Sequence, residues 1–169
     1  RSGPWEPRVR EECEAVRDKV GVLDLPGFSR FKLAGEGAAE YLRGRITGGL
    51  PKAGRMNLGY FADSRGRILT EMSLIRHDED DFTLITAANA QWHDFEVLKA
   101  GLPDGLSLTD HTEEFSTLIV CGPDSRNAFQ AMGTDADLHA SWLSHQPATV
   151  AGIPCMLARV SFAGELGWE

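Results

Sequence analysis

The chain has 169 residues, enough for one domain or two small ones, and 42% of them are hydrophobic, enough for a packed core. Its 17 Lys and Arg against 25 Asp and Glu leave a formal charge of −8 with no basic cluster, which argues against nucleic acid and anionic membranes as partners. No apolar run approaches the ~20 residues of a membrane span; the five histidines lack HxH or HxxxH spacing, and Cys13, Cys121 and Cys155 form no CxxC, so neither a metal site nor a disulfide framework is indicated and the thiols are expected buried in a reducing compartment.

In chain order, Val9, Cys13, Val16 and Val20 recur at helical spacing with Glu11, Glu12 and Glu14 early and Gly21 as a stop, which predicts an amphipathic first helix. A strand is expected over 28–33, then a short helix over 37–43 turning Ala39, Leu42 and Ile46 inward. Gly48, Gly49, Pro51 and Gly54 break the pattern. Strands over 55–61 and 67–75 follow, joined at Asp63-Ser64-Arg65-Gly66, and a turn over 77–81 leads to a third strand over 82–86. Asn89 can cap a helix over 90–99 that puts Trp92, Phe95 and Leu98 on one side and ends at Gly101. Strands over 106–110 and 115–121, a helix from Pro123 to Gly133, a junction at 145–147, and strands up to 150 and over 155–161 complete the reading. Hairpin-joined strands with helices on one side give the class α+β. The breaks near 50 and 147 predict an outer subdomain split into 1–50 and 148–169 around an inserted one, 51–147.

Chemistry concentrates in two strands. Ile68, Thr70, Met72 and Leu74 share one face of the strand over 67–75, while Glu71 and Ser73 interrupt the other between Leu69 and Ile75. A carboxylate in a strand apolar on both sides costs desolvation unless it is matched. Two readings fit: an ion pair with Arg55, Arg65 or Arg76, or an acid facing a cationic or N–H-bearing ligand. Met56, Leu58 and Tyr60, alternating with Asn57 and Gly59, are either core or one apolar wall for an aromatic ring. Gly122-Pro123-Asp124 opens a helix whose free N–H groups suit either simple capping or an anion. His93-Asp94 invites a catalytic pair, but neighbouring helix residues point about 100° apart and no nucleophile is placed for it, so it reads as a helix face. Neither a GxGxxG after a strand nor a P-loop is present. The chain closes on Ser161-Phe162-Ala163-Gly164-Glu165-Leu166-Gly167-Trp168-Glu169, where carboxylates beside rings suit a flat nitrogen heterocycle. A turn of this kind at the last residue reads as a chain cut from a longer one.

Residues 20–31, Gly66-Arg67-Ile68, Cys121-Gly122-Pro123-Asp124-Ser125-Arg126 and the closing stretch 161–169 together resemble the folate-binding aminomethyltransferase family. That family holds the glycine cleavage T-protein and the C-terminal folate domains of dimethylglycine and sarcosine dehydrogenases. The opening Gly3-Pro4-Trp5-Glu6-Pro7 and Thr86-Ala87, where the T-protein usually has Asn at the position of Ala87, resemble the dehydrogenase branch. The resemblance implies ferredoxin-like subdomains around a tetrahydrofolate pocket, with a third, β-barrel subdomain expected beyond Glu169. It places the family's catalytic pocket acid, usually aspartate, on Glu71. It places the pterin-binding glutamate on Glu169, the tyrosine before the Gly-Glu-x-Gly turn on Phe162, and the ring-lining positions on Met56 and Leu58, with Thr86 in the same folate-binding set. The two acids are then expected to converge on one planar cofactor.

What the resemblance implies for function is a one-carbon transfer module. A flavin (FAD) domain upstream in the same protein would oxidise a small N-methyl amine to an iminium, whose carbon is captured as 5,10-methylenetetrahydrofolate. The alternatives are a glycine-cleavage-type aminomethyltransferase or other folate-dependent methyltransferase without a flavin domain, and a folate-binding protein without turnover. Relatives of the last kind carry a cysteine within the stretch matching 161–165, and this sequence has none there. No bound metal is expected, and the location expected is cytoplasmic, or the mitochondrial matrix in a eukaryote.

Overall fold

The computed structural model describes residues 3–161 and 164–169. In chain order the elements are α1 (Glu6–Asp18), β1 (Gly21–Asp24), β2 (Phe28–Ala34), α2 (Ala38–Arg43), β3 (Ile46–Thr47), β4 (Arg55–Ala62), β5 (Ile68–Asp78), β6 (Asp81–Ala87), α3 (Gln91–Lys99), β7 (Ser107–Asp110), β8 (Leu118–Cys121), α4 (Ser125–Met132), β9 (His145–Val150), β10 (Ile153–Ala158) and β11 (Gly167–Trp168). The fold is α+β. Two compact units divide the chain, Arg1–Leu25 with Thr117–Glu169, and Pro26–Ser116. These junctions lie away from the breaks near 50 and 147. The glycine-rich stretch after Thr47 is a connection between two strands that pair with each other, Ile46 opposite Phe61, and Pro147 sits inside β9. A loop within a sheet and a linker between subdomains share the same Gly and Pro composition, so composition alone does not separate them.

In the unit Pro26–Ser116 a six-stranded antiparallel sheet runs in the order β3-β4-β5-β6-β2-β7. Phe31, Leu33, Phe61, Met72, Leu74, Phe82 and Leu84 face Ala38, Ala39 and Leu42 of α2 and Leu98 of α3 in one cluster. Each large side chain in it contributes about 1.5–3 kcal/mol by leaving water. Phe95 closes edge-on over Phe31, with ring centroids 5.4 Å apart. Trp92, expected on the same side, is 75% exposed; the buried positions of α3 are Asp94 and Leu98. Gly59 on β4 leaves room for the buried Leu74 of β5, whose Cδ1 would have to move from a Cβ 2.5 Å away. The start of α2 is capped from a distant hairpin. Asp80, between β5 and β6, accepts from the backbone N–H of Gly37 at 3.0 Å and of Ala39 at 2.8 Å, bonds that hold its carboxyl below the usual carboxylate range.

In the other unit, β8 is the centre of a three-stranded antiparallel sheet between β1 and β11, and β9 and β10 form a separate antiparallel ribbon. Its cluster joins Val120, Phe129, Leu138, Ala148, Leu157 and Trp168. Gly122, at φ 125°, lies so close to the end of α1 that a Cβ would be 2.4 Å from the carbonyl oxygen of Lys19. The first helix forms, but none of its residues is buried. Of the three free cysteines only Cys121 is buried; Cys13 and Cys155 are exposed, contrary to expectation. Cys13 sits on that uncovered helix, and Cys155 on a two-stranded ribbon.

Candidate functional site

β4 and β5 place Tyr60 opposite Glu71 and Leu58 opposite Ser73. Strand alternation turns Thr70, Met72 and Leu74 toward the helices and leaves Glu71 on the opposite face, where it is exposed. Burial on both sides of β5 was the expectation, and at Glu71 it does not hold. β5 is covered on both faces only further along, where Ile75 and its partner Met56 are buried. The neighbour that meets Glu71 across the ladder is a phenol rather than Arg55, Arg65 or Arg76. Facing it across the ladder, the Glu71 carboxylate raises the Tyr60 phenol above its usual pKa, through its hydrogen-bonding pull on the phenol proton first and its negative charge second. Leu58, 54% exposed, supplies an apolar surface beside the pair.

The register between these strands is not the simplest one. Phe61 faces Thr70, yet Ala62 faces Ile68, so Leu69 is an extra residue, a bulge one position before Thr70. Bulges of this kind redirect the side chains that follow them. The hairpin turn ahead of it is fixed by Asp63, whose carboxylate accepts from the backbone N–H of Arg65 at 2.8 Å and of Arg67 at 3.0 Å and from Arg67 Nε at 2.8 Å.

The remaining expected residues fall elsewhere. Thr86 is buried on the helix side of the sheet and donates its hydroxyl to Asp94, so it does not share a face with Glu71 and Leu58. The alternation of β6, with Phe82 and Leu84 in the cluster, dictates that side. Met56 is buried rather than presented as a wall. Phe162 lies outside the described residues. Glu169 belongs to the other unit and is partly exposed, its backbone N–H and C=O bonded to Ala158 at 2.9 and 2.7 Å. At the Gly122 turn the N–H groups of Gly122, Asp124 and Ser125 are taken by the carbonyls of Leu166, Lys19 and Gly122, so the turn caps a helix.

Two features were missed from the sequence. Tyr60 reads from the sequence as one of three apolar residues, whereas it stands opposite Glu71 and its phenol responds to that carboxylate. Asp94 was assigned to a helix surface, yet it is fully buried, accepting from Thr70 Oγ1 at 2.8 Å and from Thr86, with His93 Nδ1 2.8 Å from its other oxygen. Adjacent helix residues do meet here. A cleft of about 360 Å³ in the same unit is lined by Gly44, Arg45, Phe61, Ala62, Leu69 and Val97. Among the described residues no cluster of His, Cys, Asp or Glu could hold a metal ion, and no helix is long and apolar enough to cross a membrane.

The whole chain, residues 1–169, matches the family model described as the GCVT N-terminal domain. It is 29% identical over 170 residues to the mitochondrial dimethylglycine dehydrogenase of Mus musculus, covering 98% of this chain and 20% of that protein. It is 31% identical over 173 residues to sarcosine oxidase subunit alpha of Corynebacterium sp. strain U-96, covering 95% of this chain and 18% of that one. The chain therefore spans about a fifth of the length of these relatives. Among solved structures, the glycine cleavage system aminomethyltransferase T from Bartonella henselae has the same fold, with a TM-score of 0.81 at 21% identity over 94% of this chain and 43% of that one.

Proposed function

Because the chain belongs to the family of the GCVT N-terminal domain, we propose that it is the tetrahydrofolate-binding part of an enzyme that oxidises a small N-methyl amine and passes the released carbon to the folate. Relatives named for dimethylglycine and sarcosine, both N-methyl amines, support this, and a relative named aminomethyltransferase, at 31% identity, supports a glycine-cleavage-type transferase as the second reading. The observation that carries the reading is Glu71, exposed on the face of the sheet away from α2 and α3, with the partly exposed Tyr60 opposite it and Leu58 beside it. An ionised carboxylate next to an apolar surface fits a flat heterocycle that offers N–H groups at its edge and an apolar face.

Bound tetrahydrofolate would supply the nitrogen that accepts the one-carbon unit. Glu71 would take the proton leaving that nitrogen or balance the positive charge of the incoming carbon. The Tyr60 hydroxyl would orient the carboxylate while occupying only one of its roughly four acceptor positions. Leu58 would cover one face of the ring. Glu169, by the family resemblance, would accept pterin N–H groups. Holding two reactants in register supplies most of the acceleration, so a misplacement of about 1 Å at Glu71 costs on the order of a hundredfold. The oxidation itself would belong to a flavin domain elsewhere in the full-length protein, with the mitochondrial matrix as its location in a eukaryote.

Calorimetry of the full-length protein with tetrahydrofolate tests the reading. Binding is expected, and Glu71→Gln is expected to keep affinity within a few-fold while product formation falls by about a hundredfold or more. A folded full-length protein that binds no folate overturns the proposal. Flavin absorbance in the same preparation separates the dehydrogenase from a stand-alone transferase.

A further inference from the structure

The backbone ladder between β5 and β6 begins at Asp78 opposite Asp81 and ends at Ser73 opposite Ile85. Both strands continue past that point. β5 runs back to Ile68, still paired to β4 through Glu71 and Thr70, and β6 runs on to Ala87, still paired to β2. The sheet therefore opens a seam beside Glu71, with β5 held from one side only. On that side the bulge at Leu69 already interrupts the register.

One side chain crosses the seam. Asp94, at the start of α3 and 0% exposed, accepts through a single oxygen, Oδ2, from the hydroxyls of Thr70 on β5 and Thr86 on β6. Its Oδ1 lies 2.8 Å from His93 Nδ1. An apolar residue would fill this space without the desolvation cost of a carboxylate. What the carboxylate adds is a cross-link between two strands at the place where main-chain bonds are missing. Thr70 directly precedes Glu71, and successive strand residues point to opposite faces, so fixing Thr70 downward sets the direction of Glu71 upward.

We propose that Asp94 is a positioning residue that, through Thr70 and Thr86, closes the β5–β6 seam from beneath the sheet and thereby aims Glu71. The inference deepens the assignment of Glu71 as the working acid and rests on that reading for its catalytic meaning, while its structural content stands apart from folate.

The test reads Tyr60, which stands opposite Glu71 and whose phenol is raised by that carboxylate, so its titration reports where the carboxylate points. In full-length protein labelled with ¹³Cζ-tyrosine, the Tyr60 signal is assigned by its loss in Tyr60→Phe and titrated with alkali. Asp94→Asn and Thr86→Val, both close in shape to the native residues, are expected to move the Tyr60 midpoint down toward that of an ordinary tyrosine. Thr86→Ser, which keeps the hydroxyl, is expected to leave it in place. If Asp94→Asn and Thr86→Val retain folded spectra and the native Tyr60 midpoint, Asp94 is only a packing residue and the proposal is overturned. Should either variant lose its folded spectrum, the pair Thr70→Val and Thr70→Ser carries the same two expectations. Folate calorimetry on the same samples keeps the questions apart. A native protein that does not bind tetrahydrofolate removes the functional reading but not the clamp. Where binding holds, Asp94→Asn is expected to lower kcat about tenfold with KM for folate changed by less than about threefold.

Discussion

Glu71 acquires its setting from a phenol. Tyr60 stands opposite it on β4, and the carboxylate raises the phenol's pKa above the ~10 of a free tyrosine. The sign of the linkage follows from which form is bonded. The neutral phenol donates, so the contribution to stability is complete below about pH 10 and is lost as pH rises through the higher folded value. Glu71→Gln should therefore lower the melting temperature relative to the native protein at pH 8–9, and the gap should close at pH values above the Tyr60 transition. A melting-temperature series across that range checks it; a gap that is constant with pH would dissociate the phenol from the carboxylate. The same substitution is the one expected to lower product formation by about a hundredfold or more, so stability and the proposed catalysis can be read from one variant.

Elements in this molecule are tied together by side chains that arrive from far away in sequence. α2 has six residues and no side-chain cap of its own; Asp80, from the β5–β6 connection, holds its first N–H groups. The carboxyl of Asp80 is lowered chiefly by the bond from Ala39 N–H, then by that from Gly37 N–H. Its stabilisation is present above the unfolded carboxyl pKa of about 3.9 and disappears as pH falls through the lower folded value. Asp80→Asn should reduce the thermal stability at neutral pH by a few degrees and have little effect once the native carboxyl is itself protonated. Circular dichroism melts at pH 7 and in acid measure both halves of that statement. Asp94 does for β5 and β6 what Asp80 does for α2, replacing missing or orphaned main-chain partners with a carboxylate.

Across the whole molecule, each unit carries its own apolar cluster, and the last described strand belongs to one of them. Trp168 is 1% exposed, packs edge-on to Phe129 with centroids 5.4 Å apart, and has the guanidinium of Arg159 4.7 Å from its ring centroid. Trp168→Ala should remove about 3–5 kcal/mol from the stability of the unit formed by Arg1–Leu25 and Thr117–Glu169. Chemical denaturation followed through probes in that unit tests the figure, and a loss below about 1 kcal/mol would contradict the packing described. Glu169 follows Trp168 directly, so the indole anchors the segment that carries this residue.

The α+β class, most strand and helix positions and the family were legible in the chain, because period-two and helical spacing, turn residues and short motifs are local properties. The residues opposite one another were not. A four-residue turn at 63–66 would set Leu69 against Tyr60; the longer connection and the bulge bring Glu71 there instead. Which face of β5 stays open, which unit a glycine-rich loop belongs to, and whether a threonine serves a ligand or a buried aspartate all depend on partners tens of residues away. Thr86 shows this most plainly: its side of β6 follows from alternation, but the reason a hydroxyl is needed there exists only once α3 has folded Asp94 beneath the sheet. Local periodicity determined the elements, and long-range pairing decided what each side chain meets.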